Sequence, residues 1–127
     1  MYLNVHDRLR IENFVPQQSD RITLTIARDI FKKVKLTQKE LKQINLRSNP
    51  MNPQQVIWDG DIEKCIDFTD AELKILKKEE KKKNDTKLLT SEDLNISEKI
   101  VNAKLSSERA IEPEIINIEA EMSNESV

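Results

Sequence analysis

The sequence predicts a small, mainly helical α+β domain over residues 1–105, with four helices and a short two-stranded β-ribbon, and an extended acidic tail over residues 106–127. The main observation is a helix-start pattern that recurs at residues 36–41, 68–73 and 89–94. An apolar residue precedes Thr, and an acid lies three positions after the Thr, directly before Leu. The Thr and the acid can form a capping box, and the flanking apolar residues can pack as a hydrophobic staple.

Residues 1–20 are predicted to form an irregular arm on the core, with short strands at 3–5 and 9–11, where apolar and polar residues alternate. The first helix is predicted over residues 21–34, because apolar residues recur four apart from Ile22 to Val34. A strand through Ile22 and Ile26 is the alternative, since Thr residues alternate with the apolar ones. The second helix is predicted from Thr37 to about Ile44.

Two strand candidates follow at residues 55–58 and 65–68, with the turn dipeptide Asp59-Gly60 between them. We expect them to pair as the ribbon, with Trp58 as an apolar anchor at its base; the alternative for Trp58 is an exposed interface hot spot. The third helix is predicted from Thr69 to residues 84–85. The fourth is predicted from Thr90, and its apolar face comprises Leu94, Ile96, Ile100, Val101 and Leu105.

The third helix start gives a stability expectation. Replacing the capping residue Thr69 with Ala should cost on the order of 1 kcal/mol. Replacing Glu72 with Ala should cost less, because the sequence assigns that carboxylate only the return half of the capping box.

The composition and the cysteine count indicate in which compartment the protein is expected. Of the 127 residues, 37% are hydrophobic and 35% are charged, and a single cysteine excludes an intramolecular disulfide. We therefore expect a reducing compartment, the cytoplasm. No apolar run is long enough for a membrane span and the start lacks signal-peptide features, so no membrane association is expected.

The sequence has few features of an enzyme or of a metal-binding protein. His6 and Cys65 are the only residues of their types and lie far apart in the chain, so we expect a surface histidine, a small buried thiol and no metal site. Asp59, Asp61 and Glu63 surround Gly60 but lack the spacing of a calcium loop. No Gly-rich phosphate loop is present. The sequence predicts a non-enzymatic protein with no cofactor and no small-molecule substrate.

Several short motifs share their order with a known group. The chain resembles small uncharacterised proteins of tailed bacteriophages and prophages over about residues 5–101. The motifs are Arg8-Leu9, Phe14-Val15-Pro16, Thr23-Leu24 through Arg28, Leu36-Thr37 with Glu40, Val56-Ile57-Trp58, Ile66-Asp67-Phe68 with Glu72, and residues 87–90. The resemblance implies a viral origin, with the host cytoplasm or the virion as location, and no known catalytic residue.

The favoured function is a phage accessory protein that acts through protein contacts, as a virion or assembly component or as a binder of a host factor. In the tail, Ile115, Ile118 and Met122 fit a helical spacing, whereas apolar residues at every second position also fit a strand. With six acids and one base in residues 106–127, we expect this segment to order on a protein partner or a second copy. A merely solubilising end is the alternative.

The alternative function is nucleic-acid binding. Residues 21–47 hold eight bases and two acids. A helix, a turn, a second helix and a ribbon follow one another in the order of a winged helix-turn-helix. The contacting residues would be Gln38, Lys39, Lys42, Gln43 and Arg47. A solvated basic face is the simpler interpretation of the same charges.

Overall fold

A computed structural model describes residues 1–106, and within them the predicted class, a mainly helical α+β fold, is confirmed. The helices are α1 (Val5–Arg10), α2 (Arg21–Val34), α3 (Gln38–Gln43), α4 (Asp70–Asp85) and α5 (Leu94–Asn102). Short 3-10 turns at Ile11–Phe14 and Ser91–Asp93 extend α1 and precede α5. The strands are β1 (Tyr2–Leu3), β2 (Arg47–Asn49), β3 (Asn52–Ile57) and β4 (Lys64–Cys65).

All three predicted helix starts are confirmed. Thr37 and Thr69 cap α3 and α4 in reciprocal boxes with Glu40 and Glu72. At the third start, the Asp93 carboxylate accepts hydrogen bonds from the N–H and the hydroxyl of Thr90. The helix over residues 21–34 is also confirmed, and its strand alternative is wrong. These features were predictable because capping and helical periodicity are local in sequence.

The N-terminal arm is not the irregular segment that the alternation suggested. Only Tyr2–Leu3 is a strand, and α1 begins directly after it. Asn4 accepts a hydrogen bond from the N–H of Asp7, and the Asp7 carboxylate accepts one from the N–H of Asn4. The capping box between Asn4 and Asp7 is therefore the sequence signal for α1. The alternation of apolar and polar residues pointed instead to strands.

The predicted ribbon has different strand partners. Strand β3 pairs antiparallel with β2, Arg47 opposite Ile57, and β4 pairs with β1, Cys65 opposite Tyr2. The turn that joins β2 to β3 lies at Asn49–Asn52, where the Asn49 side chain accepts from the N–H of Met51. Asp59-Gly60 is consequently a link between the two ribbons. Such a pairing is set by contacts distant in sequence, which the dipeptide signal does not contain.

Buried apolar side chains form two groups. The main core lies between β1, α2, α4, α5 and the first 3-10 turn; it comprises Leu3, Ile11, Phe14, Val15, Ala27, Ile30, Val34, Ile66, Phe68, Leu73, Leu76, Ile96 and Ile100. A minor cluster joins α1 to α3 and the base of the β2–β3 hairpin; it comprises Val5, Leu36 and Ile44, with Leu9, Leu41, Leu46, Trp58 and Ile62 packed against them.

Apolar faces were predicted less accurately than helix starts. Ile22 is 74% exposed, and Leu94 and Val101 are also exposed, so the buried stripe of α2 and that of α5 are narrower than expected. Tertiary packing selects which part of an apolar stripe is covered, and a spacing rule cannot show this.

The acid of each of the four capping boxes also binds a base from a distant part of the chain. The four ion pairs are Lys99–Asp7 at 2.6 Å, Arg8–Glu40 at 2.9 Å, Lys33–Glu72 at 2.6 Å and Arg10–Asp93 at 2.6 Å. The partners are between 32 and 92 residues apart in sequence. Each carboxylate therefore caps a helix locally and ties that helix to another element.

Candidate functional site

The candidate site is a lobe formed by residues 36–62, which contains α3 and the β2–β3 hairpin. A buried arginine of α1 attaches it to the rest of the domain. Arg8 is 1% exposed, and its guanidinium donates to the Val34 and Lys35 carbonyls and to both Glu40 carboxylate oxygens, at 2.8 to 3.0 Å. The end of α2 and the start of α3 are thereby held by one side chain.

Glu40 is the electrostatic centre of this attachment. The hydrogen bonds from Arg8 lower the pKa of Glu40 to about 2, despite an opposing effect of burial, and the N–H of Thr37 contributes to the lowering. The carboxylate therefore stays ionised at any physiological pH. Because the Glu40 carboxylate is paired with Arg8, it does not neutralise the positive charges of Lys39 and Lys42 on the exposed side of α3.

The base of the hairpin is fixed by a tryptophan and a network of polar bonds. Trp58 is half-buried against the minor cluster. The N–H of Asp59 donates to the Ile44 carbonyl at 2.7 Å. The Asp59 carboxylate accepts from Asn45 and Arg47, which lower the pKa of Asp59. The hairpin thus has a defined base.

Beyond this base the hairpin is exposed to solvent. Residues 50–56 are all exposed, Met51 at the turn is 91% exposed, and a side-chain hydrogen bond joins Asn49 to Gln55 across the strands. Residues 48–58 contain no charged side chain, in a protein of which 35% is charged. An uncharged ribbon that projects from a charged domain is the most distinctive surface of the described chain.

The four predicted nucleic-acid contacts on α3 are brought together. Gln38, Lys39, Lys42 and Gln43 are exposed, and within residues 1–106 their side chains form no hydrogen bond or ion pair. Arg47 lies at the start of β2, but its guanidinium already binds the Asn45 carbonyl and Asp59. The other predicted partner-binding residues, Ile115, Ile118 and Met122, lie outside the described residues.

Two of the three acids around Gly60, Asp59 and Asp61, have structural partners. Asp61 accepts from the N–H of Val5 at 3.0 Å and from the N–H of Ile62 at 2.8 Å, so it caps α1 and shapes the loop. No three His, Cys, Asp or Glu side chains in residues 1–106 are placed to hold a metal ion. Cys65 is exposed, so the expectation of a buried thiol is wrong; the pairing of β4 with β1 leaves this position at the surface.

Arg8 and the projecting hairpin are the features that sequence reasoning missed. Nothing local distinguishes Arg8 from the other bases, because its partners follow 26 to 32 residues later. The hairpin did have a signal, the uncharged run from Ser48 to Trp58. The sequence pattern divides that run between a loop at residues 48–53 and a strand at residues 55–58, and so does not predict one hairpin.

No protein-family model matches the chain, and no curated protein or solved structure matches it either. In the described part of the chain, no helix has both the length and the apolar character needed to cross a membrane.

Proposed function

We propose that the protein is a non-enzymatic accessory protein that binds a protein partner through the β2–β3 hairpin. The observation that carries this proposal is the uncharged ribbon over residues 48–58, in which residues 50–56 are exposed. Charged residues are depleted at the centres of protein interfaces, and apolar and aromatic ones are enriched there.

The backbone of the hairpin supports a specific mode of binding. A two-stranded ribbon that pairs with no other strand within residues 1–106 has an open edge on each side. An extended segment of a partner can add a strand to such an edge. Met51 and Val56, both exposed, would supply apolar contacts at the turn and along β3. Trp58 would stiffen the base and offer its exposed part to the partner.

The resemblance to small proteins of tailed phages supports a biological context for this binding. It favours a virion or assembly component, or a factor that binds a host protein, in the host cytoplasm or the virion. The chemistry of the hairpin defines the partner as a protein with an unpaired strand or an exposed apolar surface that can contact the hairpin.

The test is retention of proteins from infected cells on the immobilised full chain, compared with two double variants. Met51→Ser with Val56→Thr removes the apolar atoms of the hairpin. Leu88→Ser with Val101→Thr removes exposed apolar atoms elsewhere and serves as the matched control. We expect a specific protein to be retained by the wild type and the control and lost from the hairpin variant. Equal retention by all three proteins would contradict the proposal.

Nucleic-acid binding is the second candidate, and the exposed side chains of α3 favour it. The helix, turn, helix and hairpin follow in the order of a winged helix-turn-helix, and Lys39 and Lys42 have no acidic partner among the described residues. Against it, α3 has only six residues, and the hairpin that would be the wing carries no base beyond Arg47.

A salt titration of duplex binding tests this candidate. Lys39→Ala and Lys42→Ala should each reduce the slope of log affinity against log salt by roughly one unit, because each phosphate contact releases about one counterion. Lys74→Ala and Lys78→Ala, on α4, are the matched controls and should leave the slope unchanged. The absence of a mobility shift with duplex or single strands at low salt would exclude the candidate.

A further inference from the structure

A pocket opens between β1, β4, the start of α4 and the end of α5. Its volume is about 590 Å³. The apolar part of its wall consists of Met1, Ile66, Phe68, Leu73 and Ala103. Glu63, Asp67 and Lys99 lie among the polar residues of the lining. A pocket of this size with a partly apolar wall accommodates aliphatic side chains, and the proposed function does not use it.

The described chain ends beside this pocket. Ser106 donates from its N–H and its hydroxyl to the Asp70 carboxylate, at 2.9 and 3.0 Å. Asp70 is the first residue of α4, between the wall residues Phe68 and Leu73, and Ala103 is itself part of the wall. The described chain therefore ends near the pocket, and five extended residues reach roughly 17 Å.

Residues 107–127 contain aliphatic side chains that an apolar pocket wall can bury. Ile111, Ile115, Ile118 and Met122 recur through it, among six acids and one base over 106–127. The acids keep the segment soluble, whereas the aliphatic side chains gain from burial. A covalently attached segment also has a high effective concentration at a site this close to its point of attachment.

We propose that the pocket binds the chain's own residues 107–127, with isoleucine side chains against Ile66, Phe68 and Leu73. The segment then occupies this end of the domain in cis. The proposal is independent of the hairpin, which lies in the lobe and contributes no residue to the pocket wall.

Cys65 provides the test, because it is the only cysteine and is exposed beside the pocket. Its Sγ lies 3.9 Å from the amino group of Met1, a wall residue, and Ile66 follows it. In the full chain, a second cysteine is placed at residue 111, 115, 118 or 122, or at the polar positions Glu114, Asn117 and Glu121. The rate of disulfide formation with Cys65 is measured by mass spectrometry under dilute, mildly oxidising conditions.

Docking predicts that one or two positions form the disulfide at least ten-fold faster than their neighbours. A segment that is merely tethered would give a rate that changes smoothly along the chain, because loop closure depends weakly on length. Adding Ala103→Trp, which fills the pocket, should remove the fast positions. Val101→Trp, at an exposed site outside the pocket lining, should retain them.

Two results would overturn the proposal. The first is a smooth dependence of rate on position in the wild-type background. The second is a disulfide that forms only between molecules and accelerates with protein concentration, which would assign the pocket to a second copy.

Discussion

The main core and the lobe over residues 36–62 are stabilised in different ways. The main core is built by elements from both ends of the described chain, and three of the four helix-start ion pairs bind those elements together. The lobe rests on a small apolar cluster and on the guanidinium of Arg8. Asp7 and Arg8 are adjacent in α1 but contact different parts of the molecule. Asp7 binds side chains of α5, and Arg8 binds Glu40 of α3. Helix α1 therefore connects the main core to the lobe, and we expect the lobe to open locally while the main core stays folded.

The largest expected effect comes from removing the attachment. Arg8→Met should lower the free energy of unfolding by about 3–5 kcal/mol, because it leaves a carboxylate and two carbonyls without their buried donor. Urea denaturation measures this loss. Arg47→Met removes an exposed pair with Asp59 and should change stability by less than about 1 kcal/mol. Similar losses in both variants would show that the lobe does not depend on Arg8.

Acid should weaken the lobe through Glu40. The folded-state pKa of about 2 lies below the ordinary 4.5, so folding binds fewer protons at this site. The resulting stability, about 3 kcal/mol, is fully present above pH 4.5 and is lost as the pH falls towards 2. Denaturation at pH 6 and at pH 2.5 measures it. In Glu40→Gln the drop between the two pH values should be smaller, and an identical drop would contradict this assignment.

Trp58→Ala should separate the two parts of the molecule. We expect a loss of about 2 kcal/mol that is confined to the lobe, since a half-buried aromatic costs less than a fully buried one. Hydrogen exchange followed residue by residue measures it. The N–H of Asp59, bonded to Ile44, should lose protection, whereas the N–H groups of α5 should keep theirs. A uniform loss across both parts would show that they unfold together.

The smallest effects concern the start of α4, where the contacts in the structure predict the opposite order from the sequence. Glu72 is 3% exposed and binds both the N–H of Thr69 at 2.8 Å and the Lys33 ammonium at 2.6 Å. Glu72→Ala should therefore cost more than Thr69→Ala, about 2 against about 1 kcal/mol. Thermal melts of the two variants decide the order. A Thr69→Ala protein that melts with the wild type would show that the cap contributes nothing.

How much the sequence predicted depends on the range of the interaction. The starts at Thr37, Thr69 and Thr90 were predicted because a cap involves residues three apart. The exposed side of α3 followed from its cap and its periodicity. The partners of β3 and the burial of Arg8 could not be predicted, because they depend on residues that only the folded chain brings together. A buried arginine in particular looks like any surface base until its acceptors are known.

The sequence separations of the ion-pair partners indicate the order in which these pairs can form while the chain is being synthesised. Arg8 meets Glu40 after 32 further residues, whereas Asp7 meets Lys99 only after 92. On a ribosome, residues 1–62 emerge before α5, so Arg8 can bind Glu40 before Lys99 is free to bind Asp7. The hairpin would then be presented before the domain is complete, and a partner that is already in place could bind the nascent chain.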